Sequence, residues 1–242
     1  MGILDMFGRG SPGEKARKLK AKVVQKYGDP TVRQKAISQL GELRTPEAVR
    51  SLMARFTVTV DPLTTDADEK EHAFELVKAF GRDAVGPVRE FLEKNDAASS
   101  WALRVLEAVL PETELVGACI DTLGAVGNEY TRDPEKKVVL LHSLTGKSDE
   151  RIAPALLPFL EDPSDDVKTA AIHALGPLRY APAREPLLRL ATGDDTARRV
   201  QTAAIAALHE SEFGVQGFRE KLEARLPEPY FVDKNGLIKK RG

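Results

Sequence analysis

The sequence predicts an all-α, right-handed solenoid (an α-α superhelix) of about six helix pairs, finished by a short C-terminal β-hairpin. Three observations predict it. A motif recurs about every 33 residues, its apolar positions fall on one helical face, and turn residues punctuate the copies.

The first copy, residues 29–41, runs Asp-Pro-Thr-Val-Arg-Gln-Lys-Ala-Ile-Ser-Gln-Leu-Gly. It is echoed at 166–176 (Asp-Val-Lys-Thr-Ala-Ala-Ile-His-Ala-Leu-Gly) and at 200–208 (Val-Gln-Thr-Ala-Ala-Ile-Ala-Ala-Leu). Weaker copies register on Phe80, Val109 and Leu144, which gives anchors at 40, 80, 109, 144, 175 and 208. The longest interval contains residues 57–67, read as an inserted surface loop. Apolar residues at i, i+4, i+5 and i+8, as in Val32, Ala36, Ile37 and Leu40, make one face of each helix.

Second helical segments lie between the copies, at 46–56, 83–94, 112–126, 149–160 and 181–191. A single helix pair buries too little area to offset its ordering entropy, so neighbouring pairs must stack and the row needs ends. Glu14–Tyr27 is expected to cap the start and Gln216–Leu226 the finish. Residues 1–13 then form an apolar peptide and tether, 14–226 the repeats, and 227–242 a hairpin turning at Asn235-Gly236, with a basic tail.

Composition narrows the function classes. Apolar residues make up 42% of the chain, and 36 Lys+Arg oppose 37 Asp+Glu for a net charge of −1, so no global field draws in nucleic acid. The charge is uneven. Residues 1–28 hold seven basic and two acidic residues, 230–242 hold four and one, and the body between is acidic. No run is long enough for a membrane span. The single Cys119 excludes an internal disulfide or a Cys-based zinc cage and suits a reducing, cytoplasmic compartment. Residues 1–7 are too short for a secretory leader, and Met6 stands where myristoylation needs Ser or Thr.

The Asp/Pro turn, the Val-Arg/Lys-x-x-Ala-Ile-x-x-Leu-Gly helix and the preceding Pro-x-Leu-Leu helix together resemble HEAT repeats. They are most similar to the short HEAT-like type of phycobilisome lyases, widespread in bacteria. The resemblance covers roughly residues 14–226, strongly at the first, fifth and sixth copies. It implies an armadillo-like helical array in which the Val-Arg/Lys helix lines a concave surface. It also implies kinship with bacterial HEAT-repeat proteins of no established activity.

On that inner helix, the positions equivalent to 34 and 38 point away from the buried arc. The candidate partner-binding residues are Phe74, Val138, His142, Thr169 and His173. Phe74 and Leu103 line the groove if the register is kept, and join the core if it slips by one residue in the weak copies. Trp101 has the same two readings, core or binding hot spot. His142 and His173 sit in one column with only Glu107 as a further ligand, which favours polar groove residues over zinc.

Enzyme motifs fail on inspection. Gly146-Lys147-Ser148 lacks the opening glycine of a phosphate loop, because position 141 is Leu141. There is no His-Glu-x-x-His and no Gly-x-Ser-x-Gly, and His209-Glu210 alone cannot supply the ligands of a HEAT-like iron hydroxylase. The expectation is therefore a non-enzymatic scaffold for a protein partner, with no catalytic residue, cofactor, metal or small-molecule substrate. The enzyme alternative is a HEAT-like alkylpurine DNA glycosylase. The third class is a membrane-surface adaptor in which Ile3, Leu4 and Phe7 dip into a bilayer beside the basic helix; their other reading is a cap over the first repeat.

Overall fold

A computed structural model describes residues 11–241. Its elements are helices and short 3-10 turns, with one small hairpin after them. The chain divides into two compact units, residues 1–115 and 116–242.

In the first unit, α1 (Pro12–Val23) starts from a complete capping box. The Ser11 hydroxyl accepts from Glu14 N–H and the Glu14 carboxylate accepts from Ser11 N–H. The helix buries Ala16, Leu19 and Val23, one stripe at helical spacing. The chain leaves it before Tyr27, which is 85% exposed, so the expected cap ends one turn early. Gly28 (φ 112°) makes the turn, and Asp29 caps α2 (Pro30–Leu43) through Thr31 N–H. The helices α2, α4 (Leu63–Lys78) and α6 (Ser99–Val109) form one row. Beside it, α1, α3 (Pro46–Met53) and α5 (Val85–Lys94) form the other. Gly41 lets α2 and α4 close up, since a Cβ there would lie 2.6 Å from Leu76 Cδ2.

The weak copies are displaced. The buried apolar residues of α4 are Ala73, Phe74 and Val77, and α6 buries Ala102, Leu103 and Leu106 with Val105 beside them; each trio matches Ala36, Ile37 and Leu40. The anchors are therefore Val77 and Leu106, one helical turn before Phe80 and Val109. Phe74 is corrected accordingly: it is 5% exposed and belongs to the core, as does Leu103. Val32 departs in the other sense, at 41% exposed, because α2 opens its row. The equivalent Val167 and Val200 follow another helix of their row and are fully buried.

The segment 57–67 is not a free loop. Val58 and Val60 are buried, and α4 begins at Leu63. A buried ionic cluster holds it. Arg55 Nη2 donates to Asp66 Oδ1 (2.7 Å), its Nε to Glu69 Oε2 (3.0 Å) and its Nη1 to Val58 O (2.7 Å). Arg33 reaches the same Glu69 through Nε (2.9 Å) and Nη2 (3.1 Å), and Lys70 closes on Asp66 at 2.7 Å.

Ala98, the N-cap of α6, sits at φ 62°, where a Cβ is strained. Ala98→Gly is expected to stabilise the protein by about 1 kcal/mol, seen as a higher denaturation midpoint in urea.

The helix α7 (Glu112–Val126) carries the boundary between the units. In the second unit, α8 (Glu135–Leu144), α10 (Asp165–Leu175) and α12 (Arg198–Glu210) form a row, with α9 (Ile152–Leu156), α11 (Arg184–Thr192) and α13 (Arg219–Glu223) accompanying it. The α-helical part of α9 is short because Pro158 has no N–H for the Pro154 carbonyl, and the chain continues as a 3-10 turn over Leu157–Glu161.

The hairpin pairs β1 (Tyr230–Val232) with β2 (Ile238–Lys240), Val232 opposite Ile238. Asp233 Oδ1 holds the turn by accepting from Asn235 N–H and Leu237 N–H, and Gly236 takes φ 76°. The hairpin packs on α12 through buried Ile238, whose carbonyl accepts from His209 Nδ1 at 2.8 Å. A carbonyl only accepts, so Nδ1 carries the ring proton.

Candidate functional site

Positions equivalent to 34 and 38 point out of both rows, and their chemistry separates the two units. With the register set by Val77 and Leu106, the first unit presents Gln34 and Ser38, then Glu71 and Glu75, then Ser100 and Arg104. This face is charged and stapled. Arg104 donates both Nη groups to Glu71 (2.7 and 2.8 Å), while its guanidinium lies 3.9 Å from the Phe74 ring centroid and 5.0 Å from that of Trp101. That hydrogen bonding holds the Glu71 carboxyl below its usual value. Trp101 is half-buried and stacks on Phe56 at 4.8 Å with 13° between planes. Its indole spends one face on the core.

The second unit presents Val138 and His142 on α8, Thr169 and His173 on α10, and Thr202 and Ala206 on α12. None is an acid or an Arg/Lys cation. His142, His173 and Thr202 are exposed, whereas Val138, Thr169 and Ala206 are half-buried. Val139, next to Val138, is half-buried as well. Thr169 donates its hydroxyl to Asp165 O (2.7 Å) and Thr202 donates to Arg198 O (2.9 Å), so both hydroxyl protons are committed to their own helix. At the N-terminal end of the strip, Arg199 bridges from α12 to Asp166 of α10. A strip of apolar and weakly polar groups thus runs over three adjacent helices, with charge at one edge.

Within each unit the row is pinned from inside by a side chain that the motif alone leaves unassigned. At the position after the motif valine, Arg33 Nη1 donates to Gln25 O (3.2 Å), Lys137 Nζ to Glu129 O (2.5 Å) and Gln201 Nε2 to Gly193 O (2.7 Å). In each case the acceptor lies eight residues earlier, in the loop entering the helix. Lys137 is also paired with Asp162 at 2.7 Å, and both side chains are almost fully buried. The recurrence of Arg, Lys and Gln at one motif position was the signal for this device.

The structure thus brings Val138, His142, Thr169 and His173 onto one face of adjacent helices and leaves Phe74 inside the first unit. Ile3, Leu4 and Phe7 lie outside the described residues. Among the described residues no cluster of three or more His, Cys, Asp or Glu has metal-binding geometry, and no helix is long and apolar enough to cross a membrane.

A family model described as HEAT repeats matches residues 128–209, about a third of the chain. The matched stretch contains α8, α10 and all but the last residue of α12, and therefore every position of the strip. It supports a HEAT-repeat protein, and HEAT repeats commonly mediate protein–protein interaction. No curated protein matches the chain.

Proposed function

We propose that the protein is a non-enzymatic scaffold that captures a segment of a protein partner on the face formed by α8, α10 and α12. One observation carries this reading. In a chain with 30% charged residues, six outward positions on three adjacent helices carry neither a carboxylate nor an Arg or Lys cation. Desolvating such a strip costs little, and Val138 with Val139 offers apolar area that a peptide or helix can cover. Packed helices lie about 8–10 Å apart, so side chains on α8 and α10 can read neighbouring positions of one bound segment. The buried Cys119 supports a reducing, cytoplasmic setting for this role.

The glycosylase reading has less behind it. Such chemistry would use a free carboxylate near an exposed aromatic residue, whereas the Glu71 carboxylate close to Trp101 is occupied by Arg104. The charged face of the first unit is better accounted for as cross-bracing between α4 and α6.

The test uses peptides selected by display on the full chain. Val138→Asp places a carboxylate in the middle of the strip and is expected to weaken selected peptides by at least about thirtyfold, as for an interface hot spot. The helical spectrum should be unchanged and stability should fall by no more than about 1 kcal/mol, because Val138 lies at the surface edge of α8 and not in its fully buried stripe. Unchanged affinity, or a parallel collapse of stability, would overturn the assignment.

A further inference from the structure

The outer surface of the first unit carries a second feature that the protein-binding reading does not use. On α1, Ala16, Leu19 and Val23 face inward, and every basic residue of the helix is exposed. Lys15, Lys18 and Lys22 follow at i, i+3 and i+7 and make one stripe; Arg17 and Lys20 lie on the opposite flank. Lys26, just past the helix, is exposed too. Among the described residues none of these six cations makes an ion pair or a side-chain hydrogen bond. The acids beside the helix are engaged: Glu14 closes the capping box, Asp29 caps α2, and Glu47, next to Gly13, pairs with Arg50 at 3.6 Å.

On the Lys20 flank, α3 and α5 present cations and carboxylates in equal number. Lys20 lines a shallow groove of about 170 Å³ with Arg50, Glu90 and Lys94. Its one carboxylate, Glu90, already accepts from Lys94 (2.8 Å) and from Arg50 (2.7 Å), which hold it down at about 2. Lys20 is left without a counter-charge there.

We infer that the Lys15, Lys18 and Lys22 face of α1 docks on an anionic lipid bilayer. Two observations select a bilayer over the other polyanions. The cations are mostly lysines on exposed stems, which suit diffuse headgroup charge better than bidentate phosphate recognition. The sequence entering α1 supplies Ile3, Leu4, Met6 and Phe7 within seven residues, and Tyr27 stands 85% exposed just beyond its other end. Apolar and aromatic residues on both sides of a lysine-rich helix in the sequence match the chemistry of a membrane interface, where anchoring takes an electrostatic and an apolar contribution together. Nucleic acid offers the apolar groups nothing comparable.

Co-flotation of the full chain with vesicles tests this. Vesicles containing 30% phosphatidylserine are compared with pure phosphatidylcholine, and duplex DNA is titrated in parallel, all at about 0.1 M salt. The expected result is retention on the anionic vesicles only. K15Q/K18Q/K22Q should lower partitioning about a hundredfold, at about fivefold per lysine, with the helical spectrum unchanged since all three side chains are exposed. A second variant, Lys20→Gln with Arg17→Gln, keeps the stripe and should cost less than the triple change. Failure to float, equal retention on neutral vesicles, indifference to the triple change, or tighter binding to DNA than to the anionic vesicles would each overturn the inference. Peptide capture by the α8–α12 face should persist in the triple variant, which separates this inference from the preceding one.

Discussion

Glu69→Ala should destabilise the first unit by about 3–5 kcal/mol, lowering its Tm by about 6–20 °C. The side chain is 1% exposed and is the shared acceptor for two guanidinium groups, Arg33 and Arg55, that are themselves 2% and 0% exposed. Its removal leaves both cations in the interior with one carboxylate, Asp66, which Lys70 already shares. Glu71→Ala, two residues on in the same helix but half-exposed, should cost less than about 1 kcal/mol despite its two hydrogen bonds to Arg104, because water screens that pair. Comparing the two variants by thermal denaturation checks that burial sets the size of the effect. The cluster also fixes an acid sensitivity. Burial works to raise the Asp66 carboxyl, but hydrogen bonds from Lys70, Arg55 and Val60 N–H outweigh it and carry the carboxyl below its ordinary value. A carboxyl depressed in the folded state contributes fully above its unfolded value, about 4, and loses that contribution as pH falls through the lower folded value. Asp66→Asn should therefore flatten stability against pH below about 4.

Asp162→Ala should cost the second unit about 3–5 kcal/mol. Lys137 would lose its carboxylate partner while remaining 1% exposed. The same side chain accepts from Ser164 N–H at 2.8 Å, at the entrance to α10, so a helix-start contact goes with the charge. Asp162→Asn keeps the oxygen for Ser164 and should recover part of the loss. Near-equal stability of the Ala and Asn variants in urea would mean that the Ser164 contact is immaterial, and parent-like stability of both would mean that the charge on Lys137 needs no partner.

The strong copies were legible in the sequence because each carries an alanine followed by a large apolar residue and a leucine one turn on: Ala171, Ile172 and Leu175, then Ala204, Ile205 and Leu208. All of these are buried, and the outward positions follow from them by helical geometry alone. Phe74 was misplaced because sliding a helix by three residues rotates its stripe by only about 60°, so apolarity barely registers the slip. Ala73 and Ala102 were the better guides, since a small residue at that point recurs in the first, second, third, fifth and sixth copies. The ionic cluster was illegible for another reason. Arg33, Arg55, Asp66 and Glu69 read as solvated charges until the chain brings them together from α2, the 3-10 turn after α3, and α4.

The central claim is that a protein segment lies across α8, α10 and α12. Methyl and imidazole resonances of the full chain, titrated with a display-selected peptide, measure this directly. The account predicts saturable shifts at Val138, Val139, Thr169 and Thr202 and at the rings of His142 and His173, with the Phe56, Phe74 and Trp101 cluster unmoved. Shifts confined to that aromatic cluster or to the C-terminal hairpin, with the strip silent, would contradict it.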